Sequence, residues 1–296
     1  MPFSHYIGRF APTPSGYLHF GSLLAAVASY LDARHHQGRW LVRMEDLDTP
    51  RNLAGASEHI LRTLQAYGLH WDGEIINQSE RLELYQQTID YWLSTGQAYY
   101  CDCSRREIIA HDGVYPGTCR HRQLPAAPDH AVRVRVGQSS IDFEDRLQGS
   151  VSQNLASTSG DFIIRRRDGI IAYQLAVVLD DIAQGVTDVV RGADLLESTP
   201  RQLWLYQLLQ QPAPRYLHVP LIMRHDGEKL SKRLGSAPLE DDQAVATLYR
   251  ALCILTPGPP ATLRTAPVTQ QLEWAVAHWQ PQHLPATLQM LDPSEG

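Results

Sequence analysis

Arg9-Phe10-Ala11-Pro12-Thr13-Pro14-Ser15-Gly16-Tyr17-Leu18-His19-Phe20-Gly21-Ser22 is the stretch whose reading decides the fold. A short apolar and polar run, Tyr6 to Phe10, enters it as a strand, and an alanine-rich run, Leu23 to Leu31, leaves it as a helix. Two prolines and Gly16 lie between them, break regular structure and set a fixed path. A strand, a stiff loop and a helix N-terminus together offer free backbone N–H groups to a phosphate. His19 and Gly21 stand at the opening of that helix. The glycine lets a ligand approach the backbone, and the imidazole can donate to phosphate oxygens.

The neighbouring chain extends the pattern. A helix from His19 to His36 is expected to stop at Gly38, and Arg39 to Met44 reads as a buried strand. That strand runs into Glu45-Asp46-Leu47-Asp48, three carboxylates at its C-terminal end, where open α/β sheets bind ligands. Helices are expected at 56–67 and 79–95, stopped by Gly68 and Gly96. This βαβαα order is the first half of a doubly wound sheet.

The character changes at Ala98. Through about Pro128 apolar periodicity is sparse and turn residues recur, so the segment has little core of its own and a metal would staple it. Cys101, Cys103 and Cys119 supply three thiolates for a tetrahedral Zn²⁺; ordinary ligand chemistry makes His111 or His121 the fourth donor. Alternation over Ala131 to Val136 marks a strand, with Ile141 to Asp145 expected to pair with it, and Asp161 to Ile171 reads as a hairpin through Asp168-Gly169. A helix from Tyr173 to Ile182 follows. Val186 to Leu195 then resumes the sheet, with Arg191 and Asp194 at its C-terminal end. Ser198-Thr199-Pro200 opens another helix. Farther on, Lys229-Leu230-Ser231-Lys232-Arg233 sits in a loop, and residues beyond 238 form one or two helices.

Composition narrows the class. The 296 residues carry 43% hydrophobic and 20% charged side chains, the balance of an ordinary globular protein with a sizeable core. No run of about 18 apolar residues exists, so no membrane span is expected. The Met-Pro-Phe-Ser-His start has neither a basic leader nor an apolar segment, so the expected location is cytoplasmic. A net charge of −6 argues against generic nucleic-acid binding and confines any RNA recognition to a local surface.

His19-Phe20-Gly21-Ser22 with Lys229-Leu230-Ser231-Lys232-Arg233 resembles the two signature motifs of class I aminoacyl-tRNA synthetases. Arg9 to Gly16 with Leu18-His19, and Val42 to Asp48 with Arg51, resemble the glutamyl branch. Ser22 and Arg233 depart from the wider signatures, where histidine and serine are usual. The chain stops where a glutamyl-tRNA synthetase continues into an anticodon-binding domain. With the cysteine-bearing segment, that makes it similar to the glutamyl-queuosine tRNA(Asp) synthetase family.

The resemblance implies an α/β class I Rossmann fold with a parallel doubly wound sheet, an inserted zinc-bearing β-rich module and a small C-terminal helical region. The expected units are 1–98 and 173–237 as the two Rossmann halves, 99–172 as the insertion, and 238–296 as the helical end. The implied chemistry is activation of L-glutamate by ATP with Mg²⁺, without tRNA. Transfer to the queuosine of tRNA(Asp) follows, by a monomer. Alternatives are a minimal glutamyl-tRNA synthetase charging the tRNA 3′ end and a non-catalytic tRNA-binding paralogue. The implied glutamate site is Arg9, Phe10, Ala11, Pro12, Thr13, Glu45, Tyr173 and Arg191. The implied ATP site is His19, Gly21, Ser22, Lys229, Ser231 and Lys232, with His19, Lys229 and Lys232 catalytic. The family's fourth zinc ligand, a tyrosine, maps onto Tyr115 beside Cys101, Cys103 and Cys119, in place of His111 or His121.

Overall fold

In the computed structural model, which describes residues 6–109, 113–223 and 238–291, all four residues of Ile7–Phe10 (β1) are buried, as a central parallel strand requires. Phe20–His35 (α1) follows, capped at its start by His19. The helix runs out at Gln37, which takes the left-handed conformation at φ 54°. Gly38, expected to be the stop, serves a different end. A Cβ there would lie 2.4 Å from the Tyr6 carbonyl oxygen, so glycine is what lets the chain turn back against β1. Arg39–Met44 (β2) pairs with β1 in parallel, Gly8 opposite Trp40.

Ala56–Ala66 (α2), Ile76–Asn77 (β3) and Leu82–Ser94 (α3) come next, with β3 parallel to β2. The helix expected over 79–95 is divided, a 3-10 turn over 78–81 preceding α3. Asp46 accepts from the Ser79 N–H at 2.8 Å and hydroxyl at 2.6 Å, capping that turn from outside.

Then come Ala98–Cys101 (β4), Arg105–Ile109 (α4), Ala131–Val134 (β5), Ser140–Asp145 (β6), Gly149–Asn154 (β7), Leu155–Thr158 (α5) and Phe162–Arg165 (β8). Strands β4, β5 and β8 form an antiparallel sheet in that order. The expected pairing of 141–145 with 131–136 is wrong: β6 pairs with β7, Asp145 opposite Gly149, and on its other side with the strand 215–219. The reason is local. Asp145 accepts from the N–H groups of Leu147 and Gln148, and Gly149 at φ 79° turns the chain straight back, so the nearest partner is the next strand. The segment 99–172 therefore feeds two sheets. The hairpin at 161–171 is present as a turn, but its return arm is a single bridge, Arg165 opposite Ile171.

Tyr173–Gln184 (α6), Asp188–Gly192 (β9), Thr199–Leu208 (α7) and Arg215–Val219 (β10) complete the winding. Thr187, just ahead of β9, donates its N–H to the Ile7 carbonyl at 2.9 Å, which sets β9 beside β1. The sheets β3-β2-β1 and β9-β10-β6-β7 thus meet edge to edge at β1 and β9, and each is parallel within itself except for β7. Strand order reverses between β1 and β9, and there α/β sheets hold their ligands. Apolar clusters fill both sides of the sheet. One joins Trp40 and Leu23 to Leu252 and Trp279; the other joins Leu41 and Trp92 to Leu175 and Leu205.

The remaining elements are Leu221–Met223 (β11), Ala244–Leu255 (α8), Val268–Ala277 (α9) and Gln289–Leu291 (β12), with β11 parallel to β12. They cover α1. Asp32 of that helix, fully buried, accepts from Arg146 at 2.6 and 2.9 Å, from the Trp279 indole at 2.8 Å and from the Tyr6 hydroxyl. Burial pushes this carboxyl up, but Arg146, Tyr6 and Trp279 outweigh it and hold it below its ordinary value.

Removing the hub leaves Arg146 without its main partner, so Asp32→Ala should cost about 3–5 kcal/mol of unfolding free energy. With the folded value depressed, this contribution is complete above the unfolded value near 3.8. It is lost as the pH falls through the lower folded one. Denaturant midpoints of wild type and variant should therefore converge in acid; a gap that stays constant down to the acid limb would refute the assignment.

Candidate active site

The loop after β1 is tied down at both proline positions. The Pro12 carbonyl accepts from Glu45 N–H and the Pro14 carbonyl from Leu53 N–H, each at 2.9 Å. One side of the opening stretch is thereby fastened to the end of β2. A cavity of about 860 Å³ lies over the C-terminal ends of β1, β2 and β9. Its walls bring together every described residue of the expected glutamate site: Arg9, Phe10, Ala11, Pro12, Thr13, Glu45, Tyr173 and Arg191. Phe10 contributes as a wall, its ring stacked on Trp40 with centroids 6.3 Å apart.

The charges are arranged in two layers. Arg9 meets the Asp181 carboxylate through Nε at 3.3 Å, and Arg43 meets the same carboxylate through Nη1 at 2.9 Å. Burial pushes Asp181 up, but Arg9 and Arg43 outweigh that and keep it ionised. Glu45 lies 3.5 Å from Arg43 Nη2, and its Oε1 accepts no hydrogen bond among the described residues. Burial lifts the Glu45 carboxyl above its ordinary value, a rise that Arg43 and Arg9 only partly reverse. A buried carboxylate on a cavity wall, ion-paired with Arg43 but with hydrogen-bond capacity unused, is suited to an ammonium group.

Among the described residues, Arg191 forms no ion pair with Asp194, the carboxylate nearest to it in sequence. Its Nε donates to His218 Nε2 at 2.9 Å, its Nη2 to Thr199 Oγ1 at 2.8 Å, and its Nη1 reaches the Tyr173 hydroxyl at 3.4 Å. These partners are uncharged or held neutral, so the guanidinium keeps its charge for whatever enters the cavity. Asp46 and Asp48 are structural. The first caps the turn at Ser79, and the second binds Arg51 at 2.7 Å and Arg166 at 3.1 Å.

On the other side of the cavity stand His19, Gly21 and Ser22. His19 Nδ1 accepts from the Ser22 N–H at 3.2 Å, which leaves Nε2 to carry the hydrogen, 3.1 Å from Ser22 Oγ. Burial lowers the pKa of this imidazole and keeps it neutral. Lys229, Ser231 and Lys232 lie outside the described residues. The described chain on either side of them meets this region: Ile222 lines the cavity, and Leu239 N–H bonds the Leu18 carbonyl at 2.9 Å.

Apart from the cavity, the Sγ atoms of Cys101, Cys103 and Cys119 all lie within 4.8 Å of one another. The Tyr115 hydroxyl sits 3.5 Å from Cys101 Sγ and 3.8 Å from Cys103 Sγ, and accepts from Cys119 N–H at 2.8 Å. Three sulfurs and one phenol oxygen at these separations suit a closed tetrahedral ion. Arg133 donates to Cys101 Sγ at 3.2 Å, which favours the thiolate there, and lies over the Tyr115 ring; burial and the Cys101 thiol push the Tyr115 hydroxyl up. Gly160 makes the arrangement possible. It sits at φ 64°, and a Cβ there would come within 2.2 Å of the Tyr115 carbonyl. His121 is exposed and stands outside the cluster; His111 lies outside the described residues.

Arg43, Asp181, His218 and Thr199 carry much of this geometry and escape a reading by motif. The one visible signal is Asp180-Asp181, an acidic pair at positions of α6 where apolar residues belong. Both are buried, Asp180 binding Gln78, Arg81 and Tyr85.

Residues 7–254 match the family model described as tRNA synthetases class I (E and Q), catalytic domain. A protein of Pseudomonas aeruginosa PAO1 named Glutamyl-Q tRNA(Asp) synthetase is 57% identical over 282 residues, covering 95% of this chain and 96% of its own. One of the same name from Ectopseudomonas mendocina ymp is 58% identical, with 95% of each chain covered. Among solved structures, a glutamate tRNA ligase from Elizabethkingia meningosepticum in complex with its amino acid superposes with a TM-score of 0.82. It shares 24% identity and covers 99% of this chain and 68% of its own, a likeness of fold. The chain accordingly belongs to the class I tRNA synthetases of the glutamate and glutamine group, within the set of relatives named Glutamyl-Q tRNA(Asp) synthetase.

Proposed function

We propose that this enzyme activates L-glutamate with ATP and passes the glutamyl group to the queuosine of tRNA(Asp). The observation that carries the first half is the convergence of Arg9, Arg191 and the Glu45 carboxylate on one cavity. Glutamate carries two carboxylates and one ammonium, and this cavity offers two guanidinium groups and one carboxylate. Arg9 and Arg191 take the carboxylates, Glu45 the ammonium, and Tyr173 a hydrogen bond, while Phe10 to Thr13 form one wall. The names of the relatives carry the second half.

The reaction runs in two steps. An oxygen of the α-carboxylate attacks the α-phosphorus of ATP, supplied as its Mg²⁺ complex, and the bond to pyrophosphate breaks. Charge gathers on the phosphoryl oxygens and the leaving group. The N-terminus of α1 turns the Gly21 N–H to those oxygens, with the Ser22 hydroxyl beside it, and the neutral His19 gives its Nε2–H. Lys229 and Lys232, with Ser231, are assigned to the pyrophosphate by the family motif. A queuosine hydroxyl then attacks the mixed anhydride, the bond to AMP breaks, and the hydroxyl proton leaves to solvent. The arginines are already held by protein partners, which supports activation in the absence of tRNA.

Cys101, Cys103, Cys119 and Tyr115 are proposed to hold one structural Zn²⁺, which fastens the 99–172 segment and takes no part in the chemistry. We place 1–98 and 173–237 as the two halves of the catalytic unit, 99–172 as an inserted zinc-bearing, acceptor-type module and 238–296 as a C-terminal helical region, of which the described part covers α1. No helix of the described residues is long and apolar enough to cross a membrane. A cytoplasmic monomer is the state we assign.

Three measurements test these readings. Lys232→Ala should lower glutamate-dependent pyrophosphate exchange by about 100-fold or more with unfolding unchanged; near-normal exchange would remove its role. Elemental analysis should find one zinc per chain, with Cys103→Ser depleted and Tyr115→Phe losing metal faster to a chelator. Equal retention in Tyr115→Phe would take the phenol out of the ligand set. Labelled glutamate should appear on an anticodon fragment of tRNA(Asp); label on the 3′-end fragment would identify a minimal glutamyl-tRNA synthetase instead.

A further inference from the structure

Asp145, His218 and Arg191 sit near the C-terminal ends of three adjacent parallel strands, β6, β10 and β9. The register sets His218 directly opposite Arg191. Asp145 Oδ2 meets His218 Nδ1 at 2.6 Å, and His218 Nε2 meets Arg191 Nε at 2.9 Å. All three are buried, and both Asp145 and His218 have side chains with no exposure. Arginine can only donate, so Nε2 must be the acceptor and the ring hydrogen must sit on Nδ1, toward Asp145. Asp145 is itself fixed, taking the N–H groups of Leu147, Gln148 and His218.

We infer that His218 is a positioning residue for Arg191. Oriented by Asp145, it accepts from one edge of the guanidinium and so aims the rest at the substrate. The inference rests on the reading of Arg191 as a carboxylate-binding cation. Thr199 Oγ1 completes the clamp by taking Nη2, which leaves Nη1 beside the Tyr173 hydroxyl at the cavity wall. A long side chain on a strand end would otherwise sample several rotamers, and the clamp removes that freedom before substrate arrives. A carboxylate could hold Arg191 as well, but it would compete with the substrate for the same charge. A neutral imidazole anchors without neutralising. Burial lowers the pKa of His218 and Arg191 acts in the same direction; together they outweigh the upward pull of Asp145, which suits an imidazole that must stay uncharged. The Tyr216 ring, stacked on the imidazole with centroids 5.9 Å apart and lying 5.2 Å from the Arg191 guanidinium carbon, fixes the plane of both.

Two conservative substitutions separate the anchor from mere packing. His218→Gln keeps an acceptor where Nε2 stood; His218→Asn keeps a donor for Asp145 and loses the acceptor. In glutamate-dependent pyrophosphate exchange, His218→Asn should raise the KM for glutamate about tenfold or more. The KM for ATP should stay unchanged, and His218→Gln should recover most of the loss. Arg191→Ala is the reference. If it raises the glutamate KM while the two His218 variants match each other, the imidazole is structural and the inference falls. If Arg191→Ala leaves that KM unchanged, the reading of the cavity fails and takes the inference with it. Nitrogen-15 spectra of the wild-type enzyme give a check that no variant's folding can spoil: the His218 ring should show hydrogen on Nδ1 alone at neutral pH. A protonated ring or an Nε2–H tautomer would overturn the proposal.

Discussion

The Asp181 carboxylate, shared between Arg9 and Arg43, is the interaction on which the cavity depends. Two guanidinium groups side by side would repel, and neither would tolerate burial alone. Asp181 reaches them from α6, on the far side of the sheet's switch point, so the same contact that balances charge also clamps the two windings together. Asp180, its neighbour, repeats the device one residue earlier by gathering Gln78, Arg81 and Tyr85. Breaking either contact would loosen the sheet and scatter the charges at once. Fold and site are therefore one electrostatic construction, and α6 is its centre.

Much of this construction was legible in the sequence, for reasons that differ by element. The opening loop announces itself because proline and glycine leave few paths between a strand and a helix, and because His19 then falls at a cap. Glu45 and Arg191 are readable as charges at strand ends, where a parallel sheet puts its ligands. The cysteines are readable as donors, but their fourth partner is not. By ligand chemistry histidine is the better guess, yet His121 is exposed while Tyr115 is folded in by a glycine 45 positions on, at Gly160. Only the family resemblance points to the phenol.

What escaped was non-local pairing. Strand β6 looks like a partner for β5, since both alternate and lie close in sequence. The turn at Arg146 to Gln148 diverts it to β7 and β10 instead, and that diversion delivers Asp145 to His218. Arg43 also escaped, because an arginine in an apolar strand gives no sign of which carboxylate neutralises it. Residues 238–291 carry no motif. Their work is packing on α1, and a hydrophobic face does not name its partner.

The cations around the cavity are not equivalent, and the difference orders their work. Arg9 and Arg43 face Asp181, Asp180 and Glu45, so their charges are largely cancelled within the protein. Arg191 faces an imidazole, a hydroxyl, a phenol and a carbonyl, none of which cancels it. An entering dianion therefore feels Arg191 most strongly, and a low-dielectric wall magnifies that pull. Arg9, already paired, has less to give and serves better to fix orientation than to attract. Glu45 supplies the opposite pole. A zwitterion with a second carboxylate fits both poles together, whereas a simple dianion would meet Glu45 as a repulsion. Selection for an amino acid over a plain diacid thus follows from the charge that Arg191 keeps and from the carboxylate that Glu45 adds to the same wall.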